Sequence, residues 1–219
     1  MIKKHKKMLI LTSIVILLPI FAGLILWNDL PDVIVTHFGA HNEPNGWSSK
    51  GFAVFGLPVI VLTIHWLAVT ATVFDAKSKN IHHKMLSVLL WICPSISLVL
   101  SAVTYTYAMG IPVDVGFIVM LLLGVLYIVL GNYMPKCRQN RSLGMRVSWT
   151  LSDPGNWQKT HRVAGWALLS GGVMILATAY FRIPWLFFSI LAVTLLVPVL
   201  YSYVYYRRHQ ARSGKEENQ

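Results

Sequence analysis

The chain has 219 residues, of which 55% are hydrophobic and 12% charged, with a formal net charge of +11 at pH 7. A soluble globular domain carries roughly a quarter charged residues, so a soluble fold is excluded. The charges are bunched, which leaves apolar runs of the roughly 20 residues needed to cross a bilayer.

Six such runs follow in chain order: Met8–Trp27, Phe52–Phe74, Met85–Tyr107, Val115–Tyr133, Val163–Phe181 and Trp185–Tyr205. Each is expected to be helical, because in lipid every backbone amide needs a partner within its own segment. The expected fold class is an all-α integral membrane protein with about six transmembrane helices, in one polytopic domain covering residues 1–219. Lys3-Lys4-His5-Lys6-Lys7 precedes the first run. That run exceeds the about 7–15 residues of a signal core and ends on Trp27, a residue type that prefers the interface. It reads as an uncleaved anchor.

The connection Asn28–Gly51 holds about 24 residues. Its Leu30–Phe38 stretch, rich in Val, Ile and Thr, predicts a short strand. Gly39 and Asn45-Gly46 predict turns, and Trp47 is expected to return the chain to the interface. This is the one long segment on its side of the membrane. Asp32, His37, Glu43 and Trp47 are therefore the candidate ligand-binding residues. His37, His41 and Glu43 have a spacing that zinc could use, but a solvated surface or turn explains them as well, and no metal is assigned.

Inside the second run, His65 lies near the centre of a span, where no run carries Asp, Glu, Lys or Arg. It is expected to be neutral and hydrogen-bonded to a neighbouring helix. Coupled transporters generally carry acidic groups at depth, so this inventory argues against coupled transport. His82-His83 reads as a solvated pair at a helix start. Pro19, Pro58, Pro94 and Pro198 are expected to kink their helices. Gly124 and Gly131, and the pair Ala167 and Gly171, read as close-packing positions.

The connection Met134–Arg162 holds about 29 residues. It reads as an irregular half followed by a helix starting near Ser152-Asp153-Pro154, a capping residue before a first-turn proline. That helix is expected to run into the fifth span, with Trp157, His161, Ala164 and Leu168 on one face and Lys159 and Arg162 turned to water or phosphate. Arg146 offers a planar fork of donors for phosphate or carboxylate. Asn140, Arg146, Trp149, Trp157, His161 and Arg162 form the candidate cytoplasmic docking set. Tyr201, Tyr203, Tyr205 and Tyr206 make an interfacial belt ahead of a basic tail, residues 206–219.

Seventeen of the nineteen basic residues fall on one side of this arrangement, and only Lys50 and Arg182 on the other. The positive-inside rule places both termini in the cytoplasm and Asn28–Gly51 outside. The net charge is thereby explained by orientation and by anionic lipid partners, with no direct nucleic-acid partner. No glycine-rich phosphate loop, paired catalytic carboxylates or activated nucleophile is evident, so no cofactor and no catalytic residue are assigned.

Two regions carry a resemblance. Gly131-Asn132-x-x-Pro135, Asn140, Gly144-x-Arg146, Trp149-Thr150-Leu151, Trp157 and His161-Arg162-x-x-Gly165 resemble the C-terminal signature of the SdpI family of bacterial immunity proteins. Leu30-Pro31-Asp32-x-Ile34-x-x-His37-Phe38 and Gly46-Trp47-x-x-Lys50-Gly51 look like the N-terminal domain of unknown function common in that family. The two regions would cover about 10–75 and 115–205. Ser148 stands where a proline often precedes the tryptophan, and Pro154-Gly155-Asn156 replaces a more acidic approach to Trp157. The resemblance implies a protein of the cell membrane that protects against a secreted, sporulation-delaying-type toxin. It also implies a receptor role in which a cytoplasmic autorepressor is captured. A small channel or transporter, or an interfacial enzyme built around Arg146, Trp157, His161 and Arg162, are the alternatives.

Overall fold

The computed structural model describes residues 2–39, 41–74, 83–181 and 183–216. Lys77, Lys79, His82 and Arg182, which entered the charge and histidine readings, lie outside the described residues. The elements are α1 (Ile2–Ile25), β1 (Val33–Phe38), β2 (Pro44–Ser49), α2 (Leu57–Val73), α3 (His83–Ala108), α4 (Val115–Tyr133), α5 (Ser148–Ser152), α6 (Pro154–Phe181) and α7 (Pro184–Glu216). Among the described residues, six helices are long and apolar enough to span a membrane, and all but the short α5 contribute one. Their outward faces carry large apolar side chains such as Leu67, Val173 and Leu200, as a lipid-facing surface requires.

The helices form two groups. In the first, α1 packs on α3 and α2; in the second, α6 packs on α4 and α7; the groups meet along α3 and α4. Glycine sets the second group. A Cβ on Gly131 would fall 2.7 Å from the Leu169 amide nitrogen, and one on Gly172 would fall 2.7 Å from the Gly124 carbonyl oxygen. The α4 and α6 backbones therefore touch directly, the close approach expected of the small residues. Gly171 meets α7, where a Cβ would sit 2.3 Å from Thr194 Cγ2.

The first group is tied by polar bonds at depth. Ser97 and Tyr105 of α3 donate to the Ile16 and Pro19 carbonyls of α1 at 2.8 and 3.1 Å. Proline removes a backbone donor within a helix, and neighbouring side chains supply donors to carbonyls beside the break. His65 is hydrogen-bonded to a neighbouring helix, as expected. Its Nε2 lies 3.2 Å from Thr12 Oγ1, and the Thr12 hydroxyl itself donates to the Met8 and Leu9 carbonyls. His65 Nε2 is thus the donor of that pair, and the ring bridges α2 to α1. Among the described residues, no buried side-chain nitrogen or oxygen lacks a partner.

Pro58 lies inside a continuous helical stretch, just after a π-helical turn over Phe52–Gly56, with Gly51, Gly56 and Leu57 all in the right-handed helical region, and such a turn is one of the irregularities at which helices bend. One local reading is corrected. Asn45 and Gly46 do not form a turn. They lie inside β2, and the reversal is made by Gly39 through Glu43, with Gly39 N donating to Glu43 O at 2.8 Å and Asn42 at φ 65°. The strand expected within Leu30–Phe38 is β1, and β2 completes an antiparallel hairpin.

Candidate functional site

The polar features gather at the two ends of the bundle. At the outer end, the hairpin register pairs Ile34 with Ser48, Val35 with Trp47, and His37 with Gly46, with irregularities on either side of His37. Gly46 is required there, since a Cβ would lie 2.8 Å from His37 Cβ. Ile34 is 1% exposed and packs with Leu30, Ala53, Val54 and Tyr105, which seats the hairpin on the bundle.

Two residues lock the hairpin in place. Lys50, following β2, donates from Nζ to the Trp27 and Leu30 carbonyls at 3.1 and 2.8 Å, pairs with Asp32 Oδ1 at 3.2 Å, and lies 5.1 Å from the Trp27 ring centroid. A cation there satisfies carbonyls left open where α1 ends and complements its dipole. Asn42 ties the turn to the other helix group: its Nδ2 donates to Val113 O at 3.4 Å, and its Oδ1 accepts from Gly116 N at 3.1 Å. Neither residue was among the candidates. Lys50 read as one of two outside cations and as a position of the N-terminal resemblance, with no contact assigned to it, and the Asn42 contact joins positions 71 and 74 residues apart.

All four outer candidates, Asp32, His37, Glu43 and Trp47, lie on exposed positions, with Asp32 at 97% side-chain exposure and Trp47 at 59%. They do not converge on one pocket. Asp32 stands at the hairpin base and Glu43 at its tip, a strand length of about 20 Å apart. His37 Nδ1 pairs with Asn45 Oδ1, and Glu43 Oε2 accepts the His41 N–H at 2.9 Å. Among the described residues no trio of His, Cys, Asp or Glu is grouped to hold a metal.

At the cytoplasmic end, residues 137–153 fold into a compact element on the first turns of α6. Asn140 is its hub. Its Oδ1 accepts from Ser142 N and Leu143 N at 2.9 and 2.7 Å, and its Nδ2 donates to Arg138 O at 2.7 Å. Trp157 Nε1 donates to Cys137 O at 2.7 Å, and the Trp157 ring stacks on His161 with centroids 4.0 Å apart. His161 Nε2 accepts from Met145 N at 3.2 Å, which makes Nδ1, 2.8 Å from Trp157 O, the protonated nitrogen. Thr150 Oγ1 accepts from Val147 N at 3.2 Å and donates to Met145 O at 2.6 Å, starting α5. Asp153 Oδ1 accepts from Gly155 N at 2.7 Å and starts α6. Burial pushes the Cys137 thiol above its ordinary range.

Trp149 straps α5 to α7. Its Nε1 donates to Ser202 Oγ at 2.9 Å, and its ring packs against Tyr203 and Tyr206. Asn156 Nδ2 donates to the Ser202 carbonyl at 3.0 Å, and Thr160 donates to Asn156 Oδ1 at 2.8 Å. The expected α6 face is observed: Trp157, His161, Ala164 and Leu168 are all buried, while Lys159 and Arg162 are exposed.

The six docking candidates divide accordingly. Asn140, Trp157 and His161 are 0–2% exposed and form the interior of the element, so they shape a surface without presenting it. Trp149 is half-buried; Arg146 and Arg162 are exposed. Arg146 Nη1 donates to Arg141 O at 2.7 Å. Arg162 lies with Pro135, Gln158 and Lys159 on an open recess of about 400 Å³.

An all-helical bundle of six membrane-length helices, with a structured hairpin at one end and a basic folded element at the other, defines a multi-pass protein of the cell membrane. Residues 136–202 match the SdpI/YfhL protein family and residues 14–62 match a domain of unknown function, DUF1648. The chain is therefore similar to SdpI/YfhL proteins over residues 136–202 and to that N-terminal domain over residues 14–62. It is 27% identical over 206 residues to the "Immunity protein SdpI" of Bacillus subtilis (strain 168), covering 91% of this chain and 96% of that protein. No solved structure matches it.

Proposed function

We propose that this protein protects its cell against a secreted toxin of the sporulation-delaying type, with the outer hairpin as the surface that meets the toxin. The observation that carries this reading is the likeness to the Bacillus subtilis immunity protein over nearly the full length of both chains. The geometry supports it: the hairpin is fixed by Lys50 and Asn42, so it presents Asp32, His37, Glu43 and Trp47 on a preorganised strand pair, which lowers the ordering cost of binding. Expression in a toxin-sensitive bacterium tests it, with survival scored against the empty vector. Protection should be present with the natural chain and lost in the Asp32→Ala, His37→Ala, Glu43→Ala triple variant at equal membrane level. Full protection by the triple variant removes the hairpin's polar groups from the reading; no protection by the natural chain removes immunity itself.

The cytoplasmic element is the second part of the proposal. It docks a cytoplasmic autorepressor through the exposed Arg146, Arg162 and the edge of Trp149, on a scaffold built by Asn140, Trp157 and His161. The exposed arginines also meet anionic lipid headgroups. Arg146→Lys keeps the charge and loses the bidentate fork. Repressor capture lost with toxin resistance and membrane insertion intact supports docking, and wild-type behaviour of both Arg146→Lys and Arg146→Ala rejects it.

A further inference from the structure

A cavity of about 210 Å³ lies among α1, α2 and α3, in the half of the bundle nearest the cytoplasmic element. Its walls are Leu9, Ala68, Val69, Leu86 and Leu90, with His65 at the deep end, its Nε2 already occupied by Thr12. From Thr72 to His65 on α2, and from Leu86 to Cys93 on α3, the lining runs seven residues, a depth of about 10 Å. Leu143, from the cytoplasmic element, closes over it, and His5 stands at the same end. Lys6 and Lys7 are exposed one and two residues further on.

Such a space is unsuited to water, because its lining offers almost no polar partners and a buried water needs two to four of them. Left empty, its walls forgo dispersion contacts. The medium around these helices is hydrocarbon, and the mouth is at the level where the leaflet's headgroups meet exposed lysines, which attract anionic lipid. We infer that this cavity is a binding site for one anionic phospholipid of the cytoplasmic leaflet, with an acyl chain between α2 and α3 reaching toward His65 and the headgroup beside Lys6 and Lys7. The inference does not depend on the immunity reading. It also gives Leu143 a second contact: a chain in the cavity abuts the residue whose amide is held by Asn140, so lipid occupancy braces the cytoplasmic element from below.

The test uses the full-length protein in nanodiscs of phosphatidylglycerol and phosphatidylcholine in equal parts, analysed by native mass spectrometry after the annular lipids are stripped. One phosphatidylglycerol per chain should remain. Ala68→Trp, which fills the cavity from an exposed wall position, should reduce retention about tenfold, the loss expected from displacing about two buried methylenes. Lys6→Gln with Lys7→Gln should abolish the preference for phosphatidylglycerol while a lipid is still retained. An independent arm needs no variant. Phosphatidylglycerol titrated into the detergent-solubilised natural chain should slow alkylation of the cavity-lining Cys93 by a membrane-permeant maleimide, read on the Cys93 peptide, and leave the Cys137 peptide unchanged. Equal lipid retention by Ala68→Trp and the natural chain, or a Cys93 rate indifferent to lipid, overturns the inference. Retention of phosphatidylcholine as readily as phosphatidylglycerol by the natural chain overturns the anionic assignment.

Discussion

Gly144 lies directly beneath the imidazole of His161: at φ +98°, a Cβ added there would come within 2.1 Å of Nε2. The missing side chain is what lets the next amide, Met145 N–H, reach that nitrogen. Gly144→Ala combines a left-handed backbone, which costs a side-chain-bearing residue about 1–2 kcal/mol, with the loss of a partly buried hydrogen bond worth about 1 kcal/mol. The variant should melt earlier in detergent than the natural chain, and earlier than Gly110→Ala. Gly110 also has positive φ, +79°, but nothing within 4 Å of its Cβ position. Equal melting of the two alanine variants would show that the His161 contact adds nothing.

At the α4–α6 seam the comparison is between two glycines of one helix. Gly131→Ala pushes a methyl into the Leu169 and Gly165 backbone, whereas Gly116 has only Asp114 Oδ1 nearby, at 3.7 Å. Overpacking costs about 1–3 kcal/mol. Gly131→Ala is expected to lower folded yield and thermal stability, with Gly116→Ala close to neutral, as measured by size-exclusion profiles after graded heating.

Lys50→Met should weaken protection more than Asp32→Ala. The methionine leaves the Trp27 and Leu30 carbonyls without their donor, whereas Asp32 is almost wholly exposed and an ion pair at such a position is worth about 0–1 kcal/mol. Limited proteolysis of the hairpin in intact cells reads the same difference independently of the toxin.

The pH dependence from Cys137 has a defined sign. Burial raises its pKa above the ordinary 9.0, so folding favours the neutral thiol. Its contribution to stability is complete below the ordinary value and declines as pH rises through the higher folded value. The melting temperature of the natural chain should therefore fall more steeply above about pH 9 than that of Cys137→Ala, and Cys137 should resist alkylation at neutral pH until the protein unfolds.

Orientation is checked in a Cys93→Ser, Cys137→Ala background. A cysteine at Ser48 should react with an impermeant maleimide added to intact cells, and one at Ser142 should react only after the membrane is opened. The reverse pattern would overturn the orientation drawn from the basic residues.

Legibility in the sequence followed the range of the interactions. The start of α6 and its buried face could be read because Asp153, Pro154 and the spacing of Trp157, His161, Ala164 and Leu168 are local signals. The packing glycines could be read because a small residue in an apolar run has few other uses. Asn45-Gly46 misled because that dipeptide is a common hairpin turn, while here Gly46 makes room for His37 across the strand pair. The candidate docking residues all fall in one folded segment and the first turns of α6. Sequence could not show that Asn140 turns inward or that the backbone of residues 137–145 covers Trp157 and His161, since that backbone forms no regular element with a period to read. Lys50 and Asn42 were missed for a related reason: each acts on main-chain groups of a distant segment, and carbonyls leave no mark on a side-chain pattern.

The contact between the α4 and α6 backbones bears on how such a protein diverges. Where a clash is with main-chain atoms, a change in one helix has no compensating side-chain change in the other, so positions 131, 165 and 172 are fixed by the scaffold. The outward hairpin positions carry no such constraint. If the hairpin is the surface that meets the toxin, as proposed above, variation among relatives should collect at residues 32, 37, 43 and 47, and exchanging the hairpin alone should change specificity.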